Sequence, residues 1–326
     1  MDHEQLTAVK AEMADFAEKI ERLRQQIAAV IVGQQQNVDL VLTSILAGGH
    51  VLIEGVPGVA KTLLARLTAR LIGADFRRVQ FTPDLMPSDV LGTNVFNMQS
   101  STFSFHPGPV FADIVLVDEI NRAPAKTQAA LFEVMEERQA TIDGETHAMS
   151  PLYTILATQN PVEQEGTYKL PEAQLDRFLM KITMGYPTVE EEVAILERHQ
   201  QNAELVQLRD IETVVSKEEL LKMRRLLSQV FVEPSLLRYI ADIVQQTRQS
   251  RTVFLGASPR ASVAMLSASK AYALLQGRAF VTPDDIKTVT PSILHHRIIL
   301  TAEAEMEGFT PMKVTQRLID KVEVPK

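Results

Sequence analysis

The chain has 326 residues, 45% of them apolar, and a formal net charge of −8 at pH 7; it is long enough for about two domains, and its acidity excludes a surface built chiefly to neutralise a nucleic-acid backbone. It contains no cysteine, which excludes disulfides, thiol nucleophiles and cysteine-ligated zinc together and suits a reducing compartment. The charged N-terminus MDHEQLTAVKAEM lacks the apolar segment of a signal peptide, and no apolar run approaches the ~20 residues that cross a bilayer, so a soluble, cytoplasmic protein without a membrane span is expected.

Residues 4–30 read as one amphipathic helix. Leu6, Val9, Met13, Phe16, Ile20, Leu23, Ile27 and Val30 recur at spacings of three and four. Such a stripe seals either a coiled coil with a partner chain or a face of the protein's own or a neighbouring body. From residue 31 to 186 short apolar strands alternate with helical stretches. Strands are predicted at residues 51–54, 78–81, 114–118, 153–158 and 178–183; the first, third and fourth are near-continuous apolar runs, as in buried parallel strands. The alternation predicts a doubly wound parallel α/β sheet.

Two polar stretches interrupt that rhythm, residues 94–106 and 139–149. Each carries β-prone residues around turn signals, and the second contains Asp143-Gly144. Both are predicted as β-hairpins inserted into the core. From residue 187 onward only helical signals occur. Ser216 and Glu219 form a capping box ahead of LLKMRRLL. Ser258-Pro259 and Thr282-Pro283-Asp284-Asp285 both read as a cap followed by proline at the first helical position. The expected organisation is an N-terminal helix over residues 1–30, an α/β core over 31–186 and an all-α domain over 187–326.

The strand VLIE runs into Gly55, Val56, Pro57, Gly58, Val59, Ala60, Lys61, Thr62 and Leu63, and then into a helical stretch. A loop of this kind turns backbone N–H groups inward at a helix N-terminus, where the macrodipole also favours phosphate. Lys61 supplies a point charge for the outer phosphates and Thr62 a hydroxyl for Mg²⁺. Ala60 stands where the usual pattern has glycine, which is acceptable if residue 60 has a negative, helix-like φ. The run Ile114 to Val117 buries a strand from whose C-terminal end Asp118 and Glu119 emerge, the end at which open α/β sheets bind ligands. Asp118 suits Mg²⁺ held through water, and Glu119 the polarisation of an attacking water.

GVPGVAKT, VDEINRAP, ILATQNP and LPEAQLDRF, in that order, resemble the MoxR family of AAA+ ATPases over about residues 25–300. The resemblance implies a RecA-like core with inserted hairpins and a helical lid, with ATP and Mg²⁺ bound between core and lid. It casts Asn160 as the sensor that orients the lytic water, Arg177 as a finger reaching into the adjacent subunit, and Arg260 as a lid residue on the γ-phosphate. Val32, Gly33 and Gln34 resemble the segment that wraps the adenine. A ring, a hexamer in the family, follows from a finger that acts between subunits. The implied activity is chaperone-like maturation of partner complexes, with a von Willebrand factor A domain supplied by another chain.

The plainer alternatives are a turn asparagine at 160, an ion pair of Arg177 with Asp176 or Glu172, and an exposed helix-start arginine at 260. Asn121 and Arg122 suit either contact with a neighbour or a cap on the helix beginning near Pro124. His295 and His296, adjacent and so about 100° apart on a helix, are expected on a helix surface beside Arg297 rather than at a metal. A nucleic-acid motor or a chelatase-like subunit is the competing function; several phosphate contacts demand clustered Lys and Arg, which neither hairpin contains, so no nucleic acid is expected. A regulatory protein without turnover is disfavoured by the complete set of acids, lysine and arginine.

Overall fold

The computed structural model describes residues 3–161, 167–200 and 211–325, with side chains from residue 12 onward. The N-terminal helix α1 (His3–Val30) leads into α2 (Gln35–Ala47) and strand β1 (Val51–Gly55), followed by α3 (Lys61–Leu71) and β2 (Phe76–Gln80). After the short α4 (Pro87–Leu91) come β3 (Gly92–Asn97), β4 (Thr102–Pro107), β5 (Ile114–Asp118), α5 (Ala125–Glu137), β6 (Gln139–Ile142), β7 (Glu145–Ala148) and β8 (Thr154–Gln159). The short α6 (Glu172–Leu175) precedes β9 (Met180–Met184).

Strands β1, β2, β5, β8 and β9 form one parallel sheet in the order β2-β5-β8-β1-β9. Its central strands are buried on both faces, which is why they read as continuous apolar runs rather than as alternating ones. One face packs on α2 and α3, the other on α5. The chain crosses from β2 to β5 through the antiparallel hairpin β3–β4, and β6–β7 forms the second predicted hairpin, turning at Asp143-Gly144 with both residues in the left-handed region. The two inserts join: Asn94 donates to Asp143 (2.8 Å), and the Phe105 and His147 rings stack 4.0 Å apart.

Beyond the sheet come α7 (Val189–Gln200), α8 (Lys217–Leu226), α9 (Pro234–Gln249), β10 (Val253–Leu255), α10 (Pro259–Leu275), α11 (Pro283–Leu294), β11 (Ile299–Leu300), α12 (Ala302–Met306) and α13 (Pro311–Lys321). The capping boxes at Ser216/Glu219 and Thr282/Asp285 are present. Two features depart from the sequence reading. Strands β10 and β11 pair as a small antiparallel ribbon in a region that showed only helical signals. Ser258 stands at the N-cap of α10 without capping it; its hydroxyl lies 3.4 Å from Asp176 Oδ2 instead.

The stripe on α1 covers the protein's own body. Met13, Phe16, Ile20, Leu23 and Ile27 are buried in one cluster with α2, α3 and α10, while Leu6 and Val9 lie outside the described side chains. Ion pairs seat the helix laterally, Arg24 to Asp39 at 2.6 Å and Lys19 to Glu219 at 2.5 Å. Among the described residues no helix is long and apolar enough to cross a membrane.

Candidate active site

The loop between β1 and α3 borders a cleft of about 390 Å³ at the C-terminal ends of the parallel strands. Pro57, Gly58, Val59, Ala60, Lys61, Thr62 and Leu63 line one side, and Arg78, Gln80, Asp118, Glu119, Thr158 and Asn160 the other. Gly55 and Val56 sit behind the loop, where their carbonyls accept from Lys61 Nζ, the second at 3.2 Å.

Residue 60 overturns the expectation of a negative φ. Ala60 is left-handed (φ 61°, ψ 23°) and forms the N-cap of α3. Reversing the chain tightly enough to start a helix with its N–H groups turned inward calls for this conformation, which costs an alanine about 1–2 kcal/mol. Gly58 is also left-handed at φ 87°, and a Cβ there would meet nothing within 4 Å. Glu119 is left-handed too, at φ 57°. Two non-glycine residues in this region bracket the cleft, the kind of strain that active sites hold in place through their surroundings.

Three side chains from neighbouring strands hold the paired acids. Thr158 on β8 donates its hydroxyl to Asp118 Oδ1 (3.0 Å) and accepts from the Glu119 N–H (3.0 Å). Arg78 on β2 donates to Asp118 Oδ2 at 2.6 Å. Gln80, two residues along the same strand face, donates to Glu119 Oε2 at 2.8 Å, and Arg122 donates to that same oxygen at 3.0 Å. The sequence reading missed Arg78, Gln80 and Thr158; the alternation Arg78, Val79, Gln80 was the available signal, since it puts both polar residues on one face of a strand that pairs with β5. Arg122 thus pairs within the site. Asn121 is buried and does not cap α5, whose N-cap is Pro124; its carbonyl accepts from the Tyr168 N–H at 2.6 Å.

Other predicted residues lie elsewhere. Gly33 and Gln34 are both left-handed and start α2, and Gly33 lines a separate groove beside α1. Val32 precedes them; none of the three lines the cleft. Arg177, between α6 and β9, donates to the Phe132 carbonyl and lines a third hollow with Glu133, Glu136 and Gln174. Its expected competitor pairing is not formed with Asp176, which binds Arg297. Arg260, at the start of α10, pairs with Glu136 (2.5 Å) and does not line the cleft. The cleft itself is lined by residues between 57 and 160, and the lid docks with its α10 N-terminus toward α5.

His295 and His296 are corrected as well. Both are buried rather than on a helix surface, because the end of α11 tucks against the segment before β9. His296 Nε2 bonds the Phe178 carbonyl (3.2 Å) and His295 Nδ1 the Pro291 carbonyl (2.7 Å). Burial pushes the His295 ring down to about 4 and holds His296 well below the ordinary range.

Comparison with known proteins agrees with this geometry. The family described as ATPase family associated with various cellular activities (AAA) matches residues 50–180, and the AAA lid domain matches residues 245–321. The protein YeaC of Bacillus subtilis is 47% identical over 301 residues, covering 92% of this chain and 93% of its own. Chaperone MoxR1 of Mycobacterium tuberculosis is 42% identical over 316 residues, covering 94% and 82%. The crystal structure of a Cytophaga hutchinsonii protein assigned to the ATPases superposes with a TM-score of 0.90 at 40% identity, covering 99% of each chain. Protein MoxR of Methylorubrum extorquens is 30% identical over 319 residues, covering 91% and 92%. A phosphate loop facing two strand-end acids, inserted hairpins and a helical lid, joined to this similarity along nearly the whole length, make the chain a member of the MoxR family of AAA+ ATPases.

Proposed function

We propose that the protein is a Mg²⁺-dependent ATPase that works as a ring, a hexamer in keeping with its family, and remodels or matures a partner protein complex. The observation that carries this reading is the meeting of Lys61, Thr62, Asp118, Glu119 and Asn160 around one open cleft. The loop fits a phosphate: it combines a helix N-terminus with left-handed Gly58 and Ala60. Lys61 exchanges the Gly55 and Val56 carbonyls for the outer phosphates. Thr62 and Asp118 hold the metal, with Asp118 oriented by Thr158. When bound, Mg²⁺ neutralises charge developing on the phosphate oxygens. Glu119 holds a water and takes its proton, and Asn160 fixes that water from the end of the neighbouring strand β8. Val32, Gly33 and Gln34 cover the base.

Arg177 and Arg260 share one surface, because Glu136 both lines the hollow of Arg177 and pairs with Arg260. We assign that surface to the neighbouring subunit's cleft, so both arginines act on a nucleotide bound by another chain. Arginines supplied in this way are worth ~10³–10⁵ in rate. The name Chaperone MoxR1 of the mycobacterial relative supports a client protein as the target, with a von Willebrand factor A domain protein as adaptor. The competing nucleic-acid reading loses its one nearby basic group. Arg138, which flanks the second hairpin, turns its guanidinium to the Tyr153 carbonyl (3.0 Å) and the Gly48 carbonyl.

Two variants test the chemistry. Lys61→Ala loses nucleotide binding, whereas Glu119→Gln binds ATP and no longer hydrolyses it; normal turnover by Glu119→Gln removes the base assignment. The partner is tested by capturing Glu119→Gln in ATP: recovery of no protein with a von Willebrand factor A domain counts against that adaptor.

A further inference from the structure

Arg177 sits on a connector of a few residues between α6 and β9, and this connector is held from the lid. The Arg297 side chain is only 3% exposed and reaches it with its whole guanidinium. Nε donates to Asp176 Oδ1 (2.6 Å), Nη2 to the carbonyls of Asp176 (3.2 Å) and Phe178 (2.6 Å), and Nη1 to the Leu179 carbonyl (3.1 Å). Nη1 also donates to the Ile293 carbonyl near the end of α11 (2.5 Å). The acceptors therefore flank Arg177 on both sides in sequence. His296 adds a second donor to the Phe178 carbonyl, and Phe178 is fully buried edge-on to Phe132, whose carbonyl receives Arg177.

The second oxygen of Asp176 leads to the other arginine. Asp176 Oδ2 faces the Ser258 hydroxyl, two residues ahead of Arg260. One carboxylate thus ties the Arg177 connector to the start of the helix that carries Arg260, and a planar five-donor guanidinium clamps the connector to α11. A lysine has three donors around a point charge and cannot bridge these separated acceptors.

We infer that Arg297, with Asp176 as its partner, is a positioning residue: through the lid it sets the direction in which one subunit presents Arg177, and through Ser258 Arg260, to the nucleotide of its neighbour. This rests on the assignment of Arg177 to the neighbouring cleft. It makes a subunit's lid contribute to the catalytic apparatus of the adjacent site.

The test uses full-length Arg297→Lys, Asp176→Asn, Arg177→Ala and the Arg177→Ala/Arg297→Lys double variant, each alone and mixed in equal amounts with Glu119→Gln subunits. A misdirected finger lowers kcat about 10- to 100-fold in Arg297→Lys and in Asp176→Asn, while the Kd for a fluorescent ATP analogue stays within twofold. The double variant is no slower than Arg177→Ala. Glu119→Gln subunits have an inactive cleft and an intact Arg297, so mixing restores hydrolysis in the clefts of the Arg297→Lys subunits. Wild-type turnover in Arg297→Lys, weakened nucleotide binding, or loss of turnover that mixing does not restore overturns the proposal. Should Arg297→Lys fail to fold, Asp176→Asn, whose carboxylate is part exposed, is read by the same three outcomes. The Arg177→Ala arm reads the underlying assignment separately: full activity, or no rescue in the mixture, removes the finger whatever Arg297→Lys does.

Discussion

Gln80 Nε2 lies 2.8 Å from Glu119 Oε2, and Arg122 Nη1 donates to that same oxygen at 3.0 Å. The carboxylate of the proposed base is therefore fixed through one oxygen, which leaves the second for water. Gln80→Ala removes one of the two restraints without touching the phosphate loop. We expect kcat to fall about tenfold, in line with the sensitivity of such chemistry to orientation, with nucleotide affinity unchanged. Steady-state turnover and a direct binding titration check it; an unchanged kcat would show that Arg122 alone suffices.

Thr158 joins both acids through one hydroxyl, accepting from the Glu119 N–H and donating to Asp118. Thr158→Val keeps the shape and deletes both bonds. Leaving buried polar groups unmet costs about 1–3 kcal/mol, so the variant should unfold at lower urea and hydrolyse more slowly. A variant of wild-type stability would mean that water replaces the hydroxyl.

Ala60 separates backbone strain from function. Ala60→Gly relieves a left-handed cost of about 1–2 kcal/mol, offset in part by the greater freedom of glycine in the unfolded chain, about 0.4–1 kcal/mol. A small net stabilisation of up to roughly 1 kcal/mol is expected, with ATP binding kept. Ala60→Val, β-branched at a positive φ, should lose both stability and binding. Equal denaturation midpoints for all three proteins would contradict the assigned conformation.

Buried neutral histidines make stability depend on pH. His50 accepts from the Ile155 N–H at Nδ1 and bonds the Met135 carbonyl through Nε2, and burial followed by the Arg138 charge pushes it down to about 3. His295 and His296 are lowered in the same direction by burial. A ring whose folded value lies below its unfolded value near 6.5 loses stability as pH falls below 6.5, because the unfolded chain takes the proton first. Each ring contributes at most about 1.4 kcal/mol per pH unit in that window. Urea midpoints should drop steadily from pH 7 to pH 5, and less steeply in His50→Gln; a flat profile would contradict the burial of these rings.

Much of the core was legible because buried parallel strands need unbroken apolar runs and turns need particular residues. The five predicted strands lie within two residues of those found, and Asp143-Gly144 marked its hairpin. The cleft was legible for the same kind of reason: a loop, a lysine and two strand-end acids are local in sequence. What escaped depends on long-range docking. The position of Arg260 is set by Glu136, 124 residues away, and the burial of His295 and His296 by the connector near Phe178. Arg78 and Gln80 sit on an edge strand with the burial of a solvent face, so nothing in their own segment distinguished them from surface residues. The φ of Ala60 is decided by the turn that the loop must complete, not by alanine.

The packing of α2 against α10 carries a mechanical consequence. Ala264, Ala268 and Ala271 are buried on α10, and Ile45 and Leu46 of α2 belong to the same continuous cluster. The small alanines let the two helices seat closely, and α2 runs directly into β1, whose end is Gly55. A push on the last helices is thus delivered to the phosphate loop through packed side chains, with no slack seam between them. Severing the polypeptide between sheet and lid would bare that whole apolar surface, so the two halves, expressed apart, should aggregate unless they are produced together.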